Sequence, residues 1–438
     1  ATAAEVLAAV DAACARVLRL KHRLGLFEDP YKGARAAGAP AAALTPATRA
    51  LARQAAAAST VLLADRGVLP LGRGMRVALI GPLGDDRHNM LGTWAVAGVP
   101  EAAVTIREGL AAAGLAVTFA PGAPLVEDPA IVDRLNFVPG TVTPDPRPAA
   151  VLLAEAEAAA MAAEAVVVVL GEAKEHTGEC ASRLTLDVPA PQRAMLSAVR
   201  AAAGGKPVIA VVLAGRPLQI DPVVEAADAV FYAWFAGTEM GHGIADLLTG
   251  AAEPTGRLAI SLPAHGAQAP IAHGLAEGGR PWPGRWQKFR TAYIDLDDAQ
   301  HPARGRWPFG FGLSWSAFDV AAPRLDAPEL DGPDAEAVAR VAVTNRGDWA
   351  ATAVVQCYVS DRVARIQRPA QELVGFERLS LAPGETREAV FRLTRAMLSY
   401  SLPAVDGTVA RVWDPGRFVV RTGLNARDTR SATLVWRA

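Results

Sequence analysis

Cysteine is scarce in this chain. Cys14, Cys180 and Cys357 are the whole complement, odd in number and far apart, so they suggest neither a disulfide framework nor a zinc cluster. Charge of one sign is also lacking. Lys plus Arg number 44 against 45 Asp plus Glu, a formal net charge of −1, which leaves no electrostatic footprint for nucleic acid or an anionic membrane and points to neutral partners. No apolar run approaches the ~20 residues that a spanning helix needs, and the first residues show no charged segment followed by an apolar core. Several chemical signatures are missing too. The first strand-like run leads into "GPLGDD", which is not G-x-G-x-x-G, and "GRG" precedes that run, so dinucleotide binding is disfavoured. There is no Walker loop and no G-x-S-x-G elbow, and the seven histidines lack H-x-x-x-H or C-x-x-C partners. No metal and no cofactor is expected.

What is present describes large cores: 438 residues, 51% apolar and only 20% charged, more than one domain's usual length. The opening "AAEVLAAVDAACARVLRLKHRLGLFEDPY" predicts one amphipathic helix, Ala4 to Leu20. Val6, Val10, Cys14 and Val17 lie about one turn apart, basic residues come late, and Gly25 and Pro30 act as terminators. Its apolar stripe has no partner in the next forty residues, which are rich in Ala, Pro and Gly. The chain is therefore expected to begin inside another domain.

From Thr45 the pattern changes. "TPATRALARQAAAASTVLL" reads as a capped helix, with Thr45 before Pro46. "MRVALIG", "LAVTFAPG", "EAVVVVLGE", "KPVIAVVLAG" and "DAVFYAWFAG" read as short buried strands, several separated by alanine-rich helices, which predicts an α/β domain with a parallel sheet covered on both faces. The run through "RPWPGRWQKFRTAYIDLDDAQHPARGRWPFGFGLSWSAF" holds too much Pro, Gly and Trp for regular helix and reads as a connector. Beyond Phe318, "ARVAVTNRGDWAATAVVQCYVSD", "ELVGFERLSLAPGETREAVFRL" and "GRFVVRTGL" alternate apolar and polar residues, as expected of a terminal β-sandwich. The expected divisions are 1–40, 41–265, 266–318 and 319–438.

The chemical interest lies in "LGEAKEHTGECASR". It follows the most apolar strand and brings Glu172, Glu175 and Glu179 to a strand's carboxyl end, where ligands of such sheets sit. Isolated carboxylates lose heavily on desolvation. From spacing alone, Glu179 reads as a solvated surface acid, and Lys174, Glu175 and His176 as solvated loop residues.

A set of motifs changes the reading of Glu179. "VLRLKHRLGLFEDPY", "STVLLADRGVLPL", "ALIGPLGDD…NMLGTWAVAG", "GEAKEHTGECASR", "KPVIAVVLAGRPL", "AWFAGTEMGHGIADLLTGAAEPTGRLAISLP" and "WPFGFGLSW" occur in the order found in family 3 glycoside hydrolases. With the sandwich segments they cover nearly the whole chain, which resembles the C-terminal portion of a member of the bacterial periplasmic β-glucosidase type. The resemblance implies that the first helix is the closing element of a (β/α)₈ barrel, that residues 41–265 form an α/β sandwich, and that a fibronectin type III-like domain follows. It implies that most of the barrel, with its aspartate nucleophile and most glycone contacts, belongs to a separate chain.

By the same resemblance Glu179 in "GECASR" is the acid/base of a retaining exo-β-glycosidase that releases glucose from non-reducing ends. Such enzymes place two carboxyl groups ~5 Å apart. The loop is expected to be mobile enough to reach a domain cleft, with Gly178 allowing it to bend. Glu172 is expected to order the loop and Arg183 to hold it by pairing with a nearby carboxylate. Trp94 reads equally as a wall of the sugar cleft and as core; Trp234 reads as core. Cys180 is expected to be a small space-filler and "WPFGFGLSW" an interdomain clamp. Expected partners are a β-glucoside or oligosaccharide and the barrel chain, with no nucleic acid and no membrane, and a homodimer of the assembled enzyme stands open. A periplasmic or secreted location is expected. The alternatives are a β-xylosidase or other exo-β-glycosidase of the family, and a non-catalytic carbohydrate-binding or scaffold fragment.

Overall fold

A computed structural model describes residues 2–33, 44–126, 128–137, 139–276, 278, 280, 283–290, 293–295, 305–404 and 406–437. Most of the Ala/Pro/Gly-rich stretch at 34–43 and parts of the connector between 277 and 304 lie outside them. Residues 1–50 and 51–438 form two compact units.

The first unit is led by a helix, Ala3–Arg23. Thr2 caps it, accepting from the Glu5 N–H while the Glu5 carboxylate accepts from the Thr2 N–H, and Lys21, His22 and Arg23 sit at the negative end of its dipole. Val6, Val10, Val17 and Leu20 are each at least half exposed, so the apolar stripe read from the sequence is present and uncovered.

A helix, Pro46–Ser59, runs across the division at residue 50 and is followed by strand β1 (Val61–Asp65) of the second unit. This corrects the reading of "TPATRALARQAAAASTVLL" as one helix: the β-branched Thr60 and Val61 end it, and "VLLAD" forms a strand. The sheet continues with β2 (Arg76–Ile80), β3 (Ala116–Ala120), β4 (Ala165–Gly171), β5 (Val208–Leu213) and β6 (Ala229–Tyr232), the five strands expected. Its order is β1-β6-β5-β4-β2-β3, and every pairing is parallel except β1 with β6, so the sheet is mainly parallel, as expected, with one antiparallel edge strand.

Strand alternation distributes β4 between two cores. Val166, Val168 and Leu170 join Ala156, Met195 and Val199 from helices Ala149–Ala162 and Ala190–Ala203. Val167 and Val169 join Leu110 and Ile244 from helices Ile106–Ala112 and Met240–Thr249 on the other face. Burial on both faces explains the unbroken valine run. From β2 the chain moves to β3 on one side and then returns to β4 on the other, so the topological switch lies between β2 and β4.

The sandwich comprises β7 (Phe318–Val320), β8 (Arg324–Leu325), β9 (Glu329–Leu330), β10 (Glu336–Asn345), β11 (Ala351–Asp361), β12 (Glu372–Leu381), β13 (Thr386–Thr394), β14 (Tyr400–Pro403), β15 (Val409–Val412), β16 (Gly416–Gly423) and β17 (Thr429–Trp436). One sheet runs β13-β10-β7 and the other β12-β11-β16-β17-β9, around Val341, Val355, Phe391, Phe418 and Trp436. The "WPFGFGLSW" segment joins the two domains. Trp307 O accepts from Leu262 N (2.9 Å) and Leu313 N donates to Leu62 O (2.8 Å) on the α/β side; Phe309 O accepts from Ala426 N (2.9 Å) and Gly310 O from Gln356 Nε2 (3.0 Å) on the sandwich side.

Candidate active site

The loop after β4 begins at Glu172, which is fully buried. Arg183 Nη1 donates to Glu172 Oε1 at 2.7 Å, and Arg216 Nε lies 3.2 Å from the same oxygen as an ion pair without hydrogen-bond alignment. Burial raises the Glu172 pKa above the ordinary carboxylate value, and the Arg183 hydrogen bond and the two guanidinium charges oppose that rise. Glu172 is thus committed to the arginines, and Arg183 meets the carboxylate that immediately follows the strand.

Lys174 and His176 are buried and Glu175 is half-buried, correcting the expectation that all three are solvated. The cause is a short helical turn, Lys174–His176, that folds the loop back onto its neighbours. His176 Nδ1 accepts the Ala173 N–H (3.0 Å), and burial, followed by the charge of Arg183, lowers its pKa to about 4. Asn89, buried in the loop after β2, accepts the Lys174 N–H on Oδ1 (2.8 Å) and donates from Nδ2 to Asp86 Oδ2 (2.7 Å) and Thr141 O (2.8 Å). Thr93 Oγ1 reaches the Lys174 carbonyl and the Thr177 carbonyl, and Arg216 Nη2 donates to the carbonyls of His176 and Ala181.

Between these anchors only Gly178, Glu179 and Cys180 form an exposed tip. Among the described residues the Glu179 side chain makes no hydrogen bond or ion pair. Cys180 is exposed, with φ at 58°, and is not the space-filler expected; the turn of the tip directs it to solvent. Trp94 follows Thr93 and is 71% exposed, so it is not core. Trp234 packs edge-on against Tyr232, with centroids 4.6 Å apart, at the margin of the first core. Sequence reading missed Asn89, Thr93 and Arg216. The one available signal was position: "NMLGT" and "AGR" each follow a strand, β2 or β5, that flanks β4.

A cavity of about 780 Å³ opens beside this loop system at the carboxyl ends of β2 and β3, lined by Asp85, Asp86, Arg107, Val126, Gly140 and Asp145 among others. Asp86 is shared between the cavity wall and Asn89.

The architecture is that of proteins pairing a doubly wound α/β domain, with a carboxylate at its switch point, to a fibronectin type III-like sandwich. Residues 60–315 match the model of the glycosyl hydrolase family 3 C-terminal domain and residues 353–426 that of the fibronectin type III-like domain. The chain belongs to glycosyl hydrolase family 3. It is 35% identical over 435 residues to the periplasmic beta-glucosidase of Salmonella typhimurium, covering 98% of this chain and 55% of that protein. A beta-xylosidase of Formosa agariphila is 28% identical over 440 residues, 97% of this chain and 55% of that one. The crystal structure of beta-glucosidase from Listeria innocua in complex with isofagomine superposes with a TM-score of 0.81 at 31% identity, covering 97% of this chain and 55% of that one. The chain spans about half the length of the curated relatives it matches.

Proposed function

We propose that this chain supplies the general acid/base, Glu179, of a retaining exo-β-glycosidase that releases glucose from the non-reducing ends of β-glucosides, with the nucleophilic aspartate carried by the family's (β/α)₈ barrel. One observation carries the reading. Of the loop's carboxylates, Glu172 is buried against Arg183 and Arg216, whereas Glu179 stands unpaired at an exposed tip at the carboxyl end of β4. In the first step Glu179 gives its proton to the departing glycosidic oxygen as the nucleophile attacks the anomeric carbon; in the second, as a carboxylate, it takes a proton from the water that attacks the glycosyl-enzyme. Glu172 and Arg183 support the loop, and the exposed Trp94 offers an apolar face to substrate.

A β-xylosidase is the second reading, favoured by the likeness to the Formosa protein. The divisions at 41–265, 266–318 and 319–438 belong to the same proposal, as does a periplasmic location, which rests on the name of the Salmonella relative.

The test is the leaving group. In the barrel-containing enzyme, Glu179→Ala should lower kcat/KM for alkyl or oligosaccharide substrates by ~10²–10⁴-fold and for dinitrophenyl glycosides far less, because kcat/KM reports the first step, in which general acid help is needed only for poor leaving groups. Glu175→Ala serves as the control and should leave that dependence unchanged. Equal losses on both substrate types would assign Glu179 to binding or folding and return the non-catalytic reading.

A further inference from the structure

The three exposed residues Gly178–Cys180 are held at both ends by groups from the two strands that flank β4. Ahead of the tip, Thr177 is clasped between neighbours. Thr93, from the loop after β2, sets its hydroxyl 3.0 Å from the Thr177 carbonyl and 3.2 Å from Thr177 Oγ1, and it also reaches the Lys174 carbonyl. On the opposite side Gly215, just after β5, abuts Thr177 so closely that a Cβ there would collide with Thr177 Oγ1. Gly178 itself lies at φ +107°, and a Cβ on it would come within 2.7 Å of Thr93 Cγ2. Glycine is therefore required at the tip by conformation and by contact with Thr93. Behind the tip, Arg216 Nη2 donates to Ala181 O at 2.6 Å; ahead of it the same nitrogen donates to His176 O, and Nε pairs with Glu172.

We propose that Thr93 and Arg216 are positioning residues that fix the two feet of the Gly178–Cys180 tip, so that Glu179 is presented from a preset turn and not from a mobile lid. The proposal rests on reading Glu179 as the acid/base. Its physical basis is that proton transfer requires the carboxyl within hydrogen-bond reach of the leaving oxygen, and a displacement of about 1 Å can cost ~10²-fold in rate. The switch point suits this work because three adjacent strand ends converge there, so the loops after β2 and β5 can grip the loop after β4 from both sides.

Two measurements test it, one independent of activity. In the 438-residue chain, amide hydrogen exchange over residues 174–181 should accelerate about tenfold or more in Thr93→Val, which keeps the shape and removes the hydroxyl; a tenfold change corresponds to ~1.4 kcal/mol. Thr93→Ser should restore wild-type exchange, and β4 and β5 should be unaffected in both variants. Arg216→Lys should accelerate the same segment. In the barrel-containing enzyme Thr93→Val should lower kcat/KM for poor leaving groups by about 10–10²-fold and for dinitrophenyl glycosides by less than about threefold. Wild-type exchange in Thr93→Val, or equal loss on both substrates, overturns the positioning role. If Glu179→Ala itself fails to discriminate between leaving groups, the acid/base reading falls, whereas the exchange result still decides whether the tip is clamped.

Discussion

At the residue scale, the loop after β4 assigns two glutamates opposite fates through their surroundings. Glu172 is taken out of water at the end of a fully buried strand and must meet the arginines, whereas Glu179, seven residues on, stays in solvent. His176 adds a pH dependence whose sign follows from its geometry. Its Nδ1 accepts a backbone N–H and its pKa is lowered from 6.5 to about 4, so the folded chain holds it neutral where the unfolded chain protonates it. Its contribution is fully present above pH ~6.5 and is lost as pH falls towards ~4, by at most about 3 kcal/mol. Urea titrations at pH 7 and pH 4.5 should show a smaller loss of stability in His176→Asn, whose Oδ1 can still accept from Ala173, than in the wild type. Equal losses would place that acid sensitivity elsewhere.

At the scale of elements, β11 departs from the alternation expected of a sandwich strand, being buried from Ala351 to Ser360 on both faces. Val355 and Cys357 face the sandwich core. The other face meets the α/β side, the joining segment and a sandwich loop: Glu253 Oε2 accepts from Thr352 Oγ1 (2.9 Å), and Gln356 Nε2 donates to Gly310 O (3.0 Å) and to Leu424 O after β16 (2.8 Å). Polar residues on that face are therefore buried and paired. Gln356→Leu keeps the bulk but leaves two carbonyls without a donor, which should cost roughly 1–3 kcal/mol. A lowered midpoint in urea with an unchanged circular dichroism spectrum would bear this out; an unchanged midpoint would mean that water replaces the amide.

At the scale of the whole molecule, the proposed division of labour makes a direct prediction. Because the nucleophile is assigned to the barrel, the 438-residue chain alone should hydrolyse aryl β-glucosides at the background rate, and addition or fusion of a family barrel portion should restore turnover. Full activity of a homogeneous preparation of this chain, its mass verified by native mass spectrometry, would refute the shared site. In that assembly the apolar stripe of helix Ala3–Arg23 gives the barrel portion a surface to cover, each of Val6, Val10, Val17 and Leu20 contributing roughly 1.5–3 kcal/mol when fully buried.

The sequence by itself determined the elements whose signal is local. The valine runs announce strands covered on both faces, the alternating segments beyond Phe318 announce a sandwich, and "GEAKEHTGECASR" places an acidic loop at a strand end. It misjudged β1, because "TVLL" follows an alanine-rich helix without Gly or Pro to mark the break, and its pairing partner β6 lies some 170 residues on. Only the tertiary structure decided which polar residues are buried. Periodicity reports one element's own faces, whereas the burial of Lys174, His176 and Gln356 is set by groups distant in sequence. The clamp on Glu179 arises in the same way: Thr93, Gly215 and Arg216 meet the tip because β2 and β5 lie beside β4, an order of strands that no spacing along the chain records.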